Sequence, residues 1–257
     1  MSILKLILKA AAPRPKLENF SRYLFIGPHP DDIEIGCGAT VSKLASLGKE
    51  IAFLICFDGR YGLETAPSGT TADELADIRK AEAIESAKRL GVDEVHFISL
   101  SDGGFYDNLQ LRRLTAQRIG IFKPDVVFTV DPDVTSECHI DHLNAGRETK
   151  TVVNFASNRE IMANYGAEPA DVSAIAFYMT AKPNVFIKTK GHVKKQLDSI
   201  FSVHISQFPK DCPQSIAIAK YIKLRAFFFG LRSFKGQAEG FRVLGVTHMH
   251  CMPEAGN

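Results

Sequence analysis

Four short apolar runs, each followed by a loop and then a helix-length stretch, constrain this 257-residue chain more than any other feature. They cover residues 23–27, 51–57, 94–100 and 125–130. Runs that are nearly continuous, not alternating, belong to strands covered on both faces. Helical stretches at 33–47, 72–90 and 109–122 separate them; Gly48 and Gly91 close the first two, and the third stops before Pro124. The alternation implies right-handed crossovers and an α/β fold, a Rossmann-like, mostly parallel sheet with helices on both faces. In a 3-2-1-4 strand order, strands one and four flank the reversal, and ligands of such sheets lie there, beyond the carboxyl ends. Further on, 144–158 reads as a helix, 174–179 and 184–188 as strands, and 192–203 and 213–229 as helices. Residues 1–20 read as an N-terminal extension, with 10–15 a short linker, and 21–257 as a single domain without repeats.

The loops after strands one and four carry the chemistry. Pro28-His29-Pro30-Asp31-Asp32 follows the first and His139-Ile140-Asp141-His142 the second. Imidazole and carboxylate are good ligands for a divalent ion of zinc type, and His29, Asp32 and His142 make a three-residue set that leaves a position open for water. The prolines fix φ on either side of His29 and so limit the entropy lost when the ligands converge. Water on such an ion has its pKa lowered from about 15.7 to roughly 7, and the ion polarises a carbonyl. Asp31 is then free to accept a proton. His139, one turn before His142, can stabilise an oxyanion or protonate a leaving amine, and Asp141 can orient an imidazole. Taken alone, the first motif also reads as a turn before a helix capped by Asp32, and His-x-x-His is weaker still. Their joint placement after neighbouring strands favours a metal-dependent hydrolase.

A formal charge of +2 and the lack of a dense basic stripe give no reason to expect nucleic acid. Five scattered cysteines without a C-x-x-C pair suit reduced thiols and a cytoplasmic location, not a disulfide framework. Lysines interrupt the apolar stretch at 1–9, which reads as a leader or a first strand and not a secretory signal, and no segment is long enough to span a bilayer. Thr247-His248-Met249-His250-Cys251 offers soft ligands but reads as a frayed tail. His96 reads as a satisfied strand histidine and Cys138 as a bystander without a base of its own; His204, with Gln207 nearby, is a candidate to reach the site, although a residue away from it is the simpler reading. The aromatic and basic run 220–234 reads as core or subunit contact, so a homo-oligomer stays open.

The two motifs, with Gly36 and Gly38 after the first, resemble the paired signatures of the PIG-L/LmbE-like N-acetylglucosamine deacetylases. The resemblance runs from about Tyr23 to Arg242 and takes in Arg79-Lys80-Ala81-Glu82, Ser101-Asp102-Gly103-Gly104, His204-Ile205-Ser206-Gln207 and Ala238-Glu239-Gly240-Phe241-Arg242. It implies an LmbE-like fold and zinc held by His29, Asp32 and His142. It implies Asp31 as general base, His139 as acid or oxyanion partner, and Arg79 and Asp102 as substrate contacts. The implied reaction removes acetyl from an N-acetylated amino sugar or sugar conjugate. Where the family often shows Gly-Glu after strand two, this chain has Asp58-Gly59-Arg60-Tyr61-Gly62, which puts the usual sugar preference in doubt. Arg60 is a candidate contact to an acidic substrate, although an exposed loop arginine is the simpler reading. Two alternatives keep the same residues: a non-haem Fe2+ enzyme using oxygen, and a catalytically silent, metal-stabilised sugar-binding protein.

Overall fold

The structure, a computed structural model, describes residues 10–249. The seven strands are β1 (Arg22–Gly27), β2 (Glu50–Phe57), β3 (Glu94–Leu100), β4 (Val126–Val130), β5 (Ala174–Tyr178), β6 (Val185–Lys188) and β7 (Ala238–Gly245). The helices are α1 (Asp32–Ser46), α2 (Ala72–Leu90), α3 (Asn108–Phe122), α4 (Ile140–Phe155), α5 (Arg159–Asn164), α6 (Val193–Phe201) and α7 (Pro213–Ser233). One sheet has the order β3-β2-β1-β4-β5-β7-β6, so the expected 3-2-1-4 core is present and β1 lies beside β4. The first five strands run parallel; β7 is antiparallel to both β5 and β6.

Strands β1, β2, β4 and β5 bury both faces, whereas β3, at the sheet edge, is only partly buried. One face sends Tyr23, Phe25, Phe53, Phe128 and Tyr178 against Ile33, Val41 and Leu44 of α1 and Leu90 of α2. The other packs Leu24, Ile26, Leu54, Val127 and Phe177 against Leu111, Ile119 and Phe122 of α3 and Val152 of α4. Phe25 stacks on Phe128 at 4.4 Å, and Phe128 meets Phe241 edge-on at 5.2 Å, which ties β1, β4 and β7 through one ring. Phe128→Ala is expected to cost about 3–5 kcal/mol of folding stability. Urea unfolding followed by circular dichroism checks this; a loss below about 1 kcal/mol would mean that the ring is not the keystone its contacts suggest.

Two elements depart from the sequence expectation. The helix expected at 144–158 starts at Ile140, which puts Asp141 and His142 in its first turn, and a separate short helix follows at Arg159–Asn164. His139 is the N-cap, and its Nδ1 accepts from Asp141 N at 3.3 Å. β7 was not expected to be a strand, because Glu239 and Arg242 interrupt its pattern, yet all eight residues are buried. Each charge has a partner. Arg242 donates to Asp131 and to Asp133, and its guanidinium lies 4.2 Å from the Phe177 ring centre.

Glu239 serves α1. That helix is kinked at Cys37 (φ −155°, ψ 20°), and Glu239 accepts from Ala39 N at 3.3 Å and Thr40 N at 2.7 Å. A side chain on Gly36 would meet the Tyr178 ring at 2.3 Å, while Tyr178 Oη donates to Ile26 O at 2.9 Å. Glycine and ring seat the first turns of α1 against β5, and the glutamate satisfies the N–H groups freed just after the kink.

The 220–234 run is corrected in part. Phe227, Phe228 and Leu231 of α7 are at least half exposed and are not core, whereas Phe229 packs on Phe186. No helix among the described residues is long and apolar enough to cross a membrane.

Candidate metal centre

β1 and β4 end side by side, so the loops that follow them meet. His29 Nδ1 lies 3.3 Å from Asp32 Oδ2, and His142 Nε2 lies 3.4 Å from the same oxygen. One donor atom from each of the three residues falls within 4.8 Å of the others. Tetrahedral bonds of about 2.1 Å place ligand atoms roughly 3.4 Å apart, so two edges of the required triangle are already at length. Two imidazoles and one carboxylate fit a divalent ion of zinc type, the set expected from the sequence.

The outer contacts fix which nitrogen faces the centre. His29 Nε2 pairs with Asp141 Oδ2 at 3.0 Å, leaving Nδ1 towards Asp32. Asp141 is fully buried and accepts from Gly103 N at 2.7 Å and Gly104 N at 2.9 Å. Both glycines have φ near +80° (75° and 81°), which turns two successive N–H groups towards one carboxylate. Burial alone would raise the Asp141 pKa, but the bonds from His29 and Gly103 outweigh it and hold it at about 2. His142 Nδ1 pairs with Glu137 Oε2 at 3.1 Å, and Glu137 Oε1 accepts from His139 N at 2.8 Å. Sequence reasoning missed Glu137; its place two residues before His139, where it reaches both the cap N–H and the next imidazole, was the available signal.

Asp31 is nine-tenths buried and sits at φ 134°, a backbone region that non-glycine residues rarely adopt. It does not cap α1 with its side chain. Instead Arg79 Nη2 donates to Asp31 Oδ2 and to Pro30 O, each at 3.0 Å, and Arg79 Nη1 donates to Gly59 O at 3.1 Å. The adjacent carboxylates are pushed apart. Burial, opposed by Arg79 and reinforced by Asp32, raises Asp31 to about 6. At Asp32 burial also raises, but His142 and His29 dominate and hold it well below the ordinary value. Neighbouring carboxyls split in this way are suited to different roles.

His139 is half exposed, with its ring 4.9 Å from both the His29 and the His142 rings. Burial and then the charges of those two imidazoles lower its pKa, so it is neutral at neutral pH. Its Nδ1 accepts from Asp141 N, which assigns the proton to Nε2.

A cleft of about 530 Å³ opens over this cluster, lined among others by His29, Asp31, Arg79, Asp102 and His139. Asp102 is 6% exposed; its Oδ2 accepts from Tyr61 N at 3.3 Å, and its Oδ1 has no hydrogen-bond partner among the described residues. Arg60 is not part of the lining. Its guanidinium is held by Asp58 at 2.7 Å and Asp73 at 2.8 Å, so the proposed contact to an acidic substrate is not carried forward. His204 stays below the cleft, fully buried between Glu34 and Glu82 at 3.6 and 3.9 Å. Gln207, from the same segment, does reach the lining, because Glu82 pins Ser206 through its N–H at 2.9 Å and its hydroxyl at 2.6 Å. His96 pairs with Glu94 at 2.6 Å, as a strand histidine would. His248 is buried against Gly245 N and Ala12 O, and not frayed; His250 and Cys251 lie outside the described residues, as do residues 1–9.

Burial lowers the pKa of His29 and His142, but the facing carboxylates outweigh it and raise the two to about 9 and about 10. Both imidazoles are therefore protonated near neutrality, and a cation must displace those protons to bind. Affinity is expected to increase as pH rises, by about tenfold per unit for each proton displaced, until the imidazoles lose their protons unaided. Chelator competition at about pH 6, 7 and 8 measures this; an affinity independent of pH would mean that other atoms hold the ion.

Residues 24–153 match the profile of the family described as PIG-L, GlcNAc-PI de-N-acetylase. The chain is 32% identical over 238 residues to a diacetylchitobiose deacetylase of Thermococcus kodakarensis, covering 91% of this chain and 87% of that protein. It is 29% identical over 190 residues to a 1D-myo-inositol 2-acetamido-2-deoxy-alpha-D-glucopyranoside deacetylase of Thermomonospora curvata, covering 65% of this chain and 62% of that one. In structure it is similar to the N,N'-diacetylchitobiose deacetylase of Pyrococcus horikoshii, with a TM-score of 0.86, 29% identity, and coverage of 97% and 94% of the two chains.

Proposed function

The chain belongs to the PIG-L (GlcNAc-PI de-N-acetylase) family, and on that premise we propose that it is a metal-dependent hydrolase removing acetyl from an N-acetylated amino sugar. One observation carries the reading: a three-donor ligand set lies beside a buried, unligated carboxylate, Asp31, whose pKa is raised into the working range of a general base. The names of the relatives support an N-acetylglucosamine-containing substrate, and for hydrolysis Zn2+ is the ion we infer, since the donor set suits it and it brings no redox chemistry.

His29, Asp32 and His142 would hold the ion, and a bound ion supplies Lewis acidity and acidifies water. Asp31, locked by Arg79, takes the proton of the attacking water. His139 presents Nε2–H to the oxygen on which negative charge develops, and the proton that Asp31 has taken from water can then pass to the departing amine. Asp141 holds the His29 ring through Nε2, and Glu137 does the same for His142. Asp102 Oδ1, buried and without a hydrogen-bond partner among the described residues, is placed to accept from a sugar hydroxyl.

The test is acetate release by the metal-loaded protein from N-acetylglucosamine, diacetylchitobiose and an N-acetylglucosaminyl inositol. Chelation should abolish it and added Zn2+ restore it. A loaded protein that releases acetate from none of the three sinks the reading.

A further inference from the structure

The segment His204-Ile205-Ser206-Gln207, between α6 and α7, takes no part in the proposed hydrolysis, yet only Ile205 of its four side chains is exposed. Asp31 and Glu34 lie three residues apart at the start of α1, and Arg79 and Glu82 lie three apart on α2. Arg79 links the first of each pair through its bond to Asp31. His204 stands between the second of each pair, with Nε2 3.6 Å from Glu34 and Nδ1 3.9 Å from Glu82. Burial lowers the His204 pKa, but Glu34, Asp31 and Glu82 outweigh it and raise it, which favours a cation between the two carboxylates. Ser206, held by Glu82 through both N–H and hydroxyl, accepts from Thr65 Oγ1 at 2.8 Å with its carbonyl oxygen. Gln207 Nε2 donates to Gly62 O at 3.0 Å. Two ties therefore hold the loop after β2, and that loop lies on Arg79. Gly59 O accepts from Arg79 Nη1; a side chain on Gly59 would collide with the guanidinium, and one on Gly62 would come within 3.0 Å of it.

We propose that Gln207 is a positioning residue for the hydrolysis: seated by His204 and Ser206, it holds the loop at 59–65 against Arg79, and Arg79 keeps Asp31 aimed at the attacking water. The inference rests on the deacetylase reading and adds to it a residue that acts through others. Asp31 requires such support. Its φ of 134° persists only where the surroundings enforce it, and its side chain makes no cap contact with α1. Arg79 enforces it, but a guanidinium on a long, flexible stem is only as well placed as its acceptors. Two of these, Pro30 O and Asp31 Oδ2, belong to the strained loop itself. The third, Gly59 O, comes from outside it. Residues 58–71 lie in no helix or strand, so Gly59 takes its place from what its loop is tied to. Gly62 N donates to Gly59 O at 3.2 Å. Gln207, Gly62, Gly59 and Arg79 thus form one chain of hydrogen bonds that ends on Asp31.

A double-mutant cycle tests this on the metal-loaded protein with diacetylchitobiose as substrate. Gln207→Ala should lower kcat about threefold to tenfold and leave KM within about twofold, the loss expected from one hydrogen bond acting at a distance. In an Arg79→Lys background, where the chain is already broken, the same substitution should change kcat by less than about twofold. Equal losses in the two backgrounds overturn the proposal. A rise in KM with kcat unchanged overturns it by making Gln207 a substrate contact, and so does a kcat loss that only tracks lost metal or a lower melting temperature. Hydrogen exchange without substrate reads the brace apart from the reaction. Peptides covering residues 58–66 should exchange faster in Gln207→Ala than in the wild type, with α2 unchanged. That result supports the brace even if the wild type releases no acetate, an outcome that would sink the deacetylase reading instead. Unchanged exchange at 58–66 removes the brace.

Discussion

Asp31→Asn is expected to lower kcat by about a hundredfold to ten-thousandfold while the protein still binds one equivalent of metal. Asparagine keeps the size of the side chain, tolerates positive φ better than most residues, and retains an oxygen for Arg79 Nη2, so the loop should stay in place. What it removes is the proton acceptor. Metal content by elemental analysis, melting temperature and acetate release, measured on one preparation, separate a lost base from a lost fold. A variant with full turnover would show that the water is deprotonated elsewhere, and His139 would be the first residue to re-examine.

His142→Ala should do the opposite and lose the metal itself. Removing an outer partner of a ligand typically weakens metal affinity about 10- to 100-fold, so losing a ligand should exceed that range. Glu137→Gln, which keeps His142 and alters only the acceptor at its Nδ1, should fall inside it. Wild type, Glu137→Gln and His142→Ala should therefore form a graded series in a chelator competition, with acetate release following metal occupancy. If His142→Ala still held stoichiometric metal at wild-type affinity, the ligand set would have to be redrawn around the neighbouring His29, His139 and Asp141 group.

The parallel core was readable because strands buried on both faces must be apolar along their length. The run at residues 23–27 and its counterparts in β2 and β4 carry that mark directly. β7 was not readable for the converse reason. Its two charges are compensated by Asp131 and by the kink in α1, partners about a hundred or more residues away that no local pattern records. The start of α4 was placed too late because Asp141 and His142 looked like loop chemistry. Acidic residues are favoured in a first helical turn, and His139 supplies the cap. The convergence of His29, Asp32 and His142 was legible from spacing plus topology. Glu137 and the two glycine N–H groups under Asp141 were not, since their part consists in orienting other residues. Arg60 shows the limit of reading a charge from its position alone, because Asp58, two residues away, had already claimed it. The α7 aromatics show a similar limit, for an unbroken triplet of phenylalanines left two of its members facing outward.

The division of labour around the cleft has an engineering consequence. The candidate metal centre is carried by the loop after β1 and the first turns of α1 and α4, whereas Tyr61, Glu64, Thr65 and Gly103 reach the opening from connections after β2 and β3. Segments 60–70 and 105–107 can thus be exchanged with those of relatives to redirect selectivity, with Gly59 kept because its carbonyl holds Arg79. Each transplant must keep a left-handed pair at 103 and 104, because the same short stretch that borders the cleft also anchors Asp141 from behind.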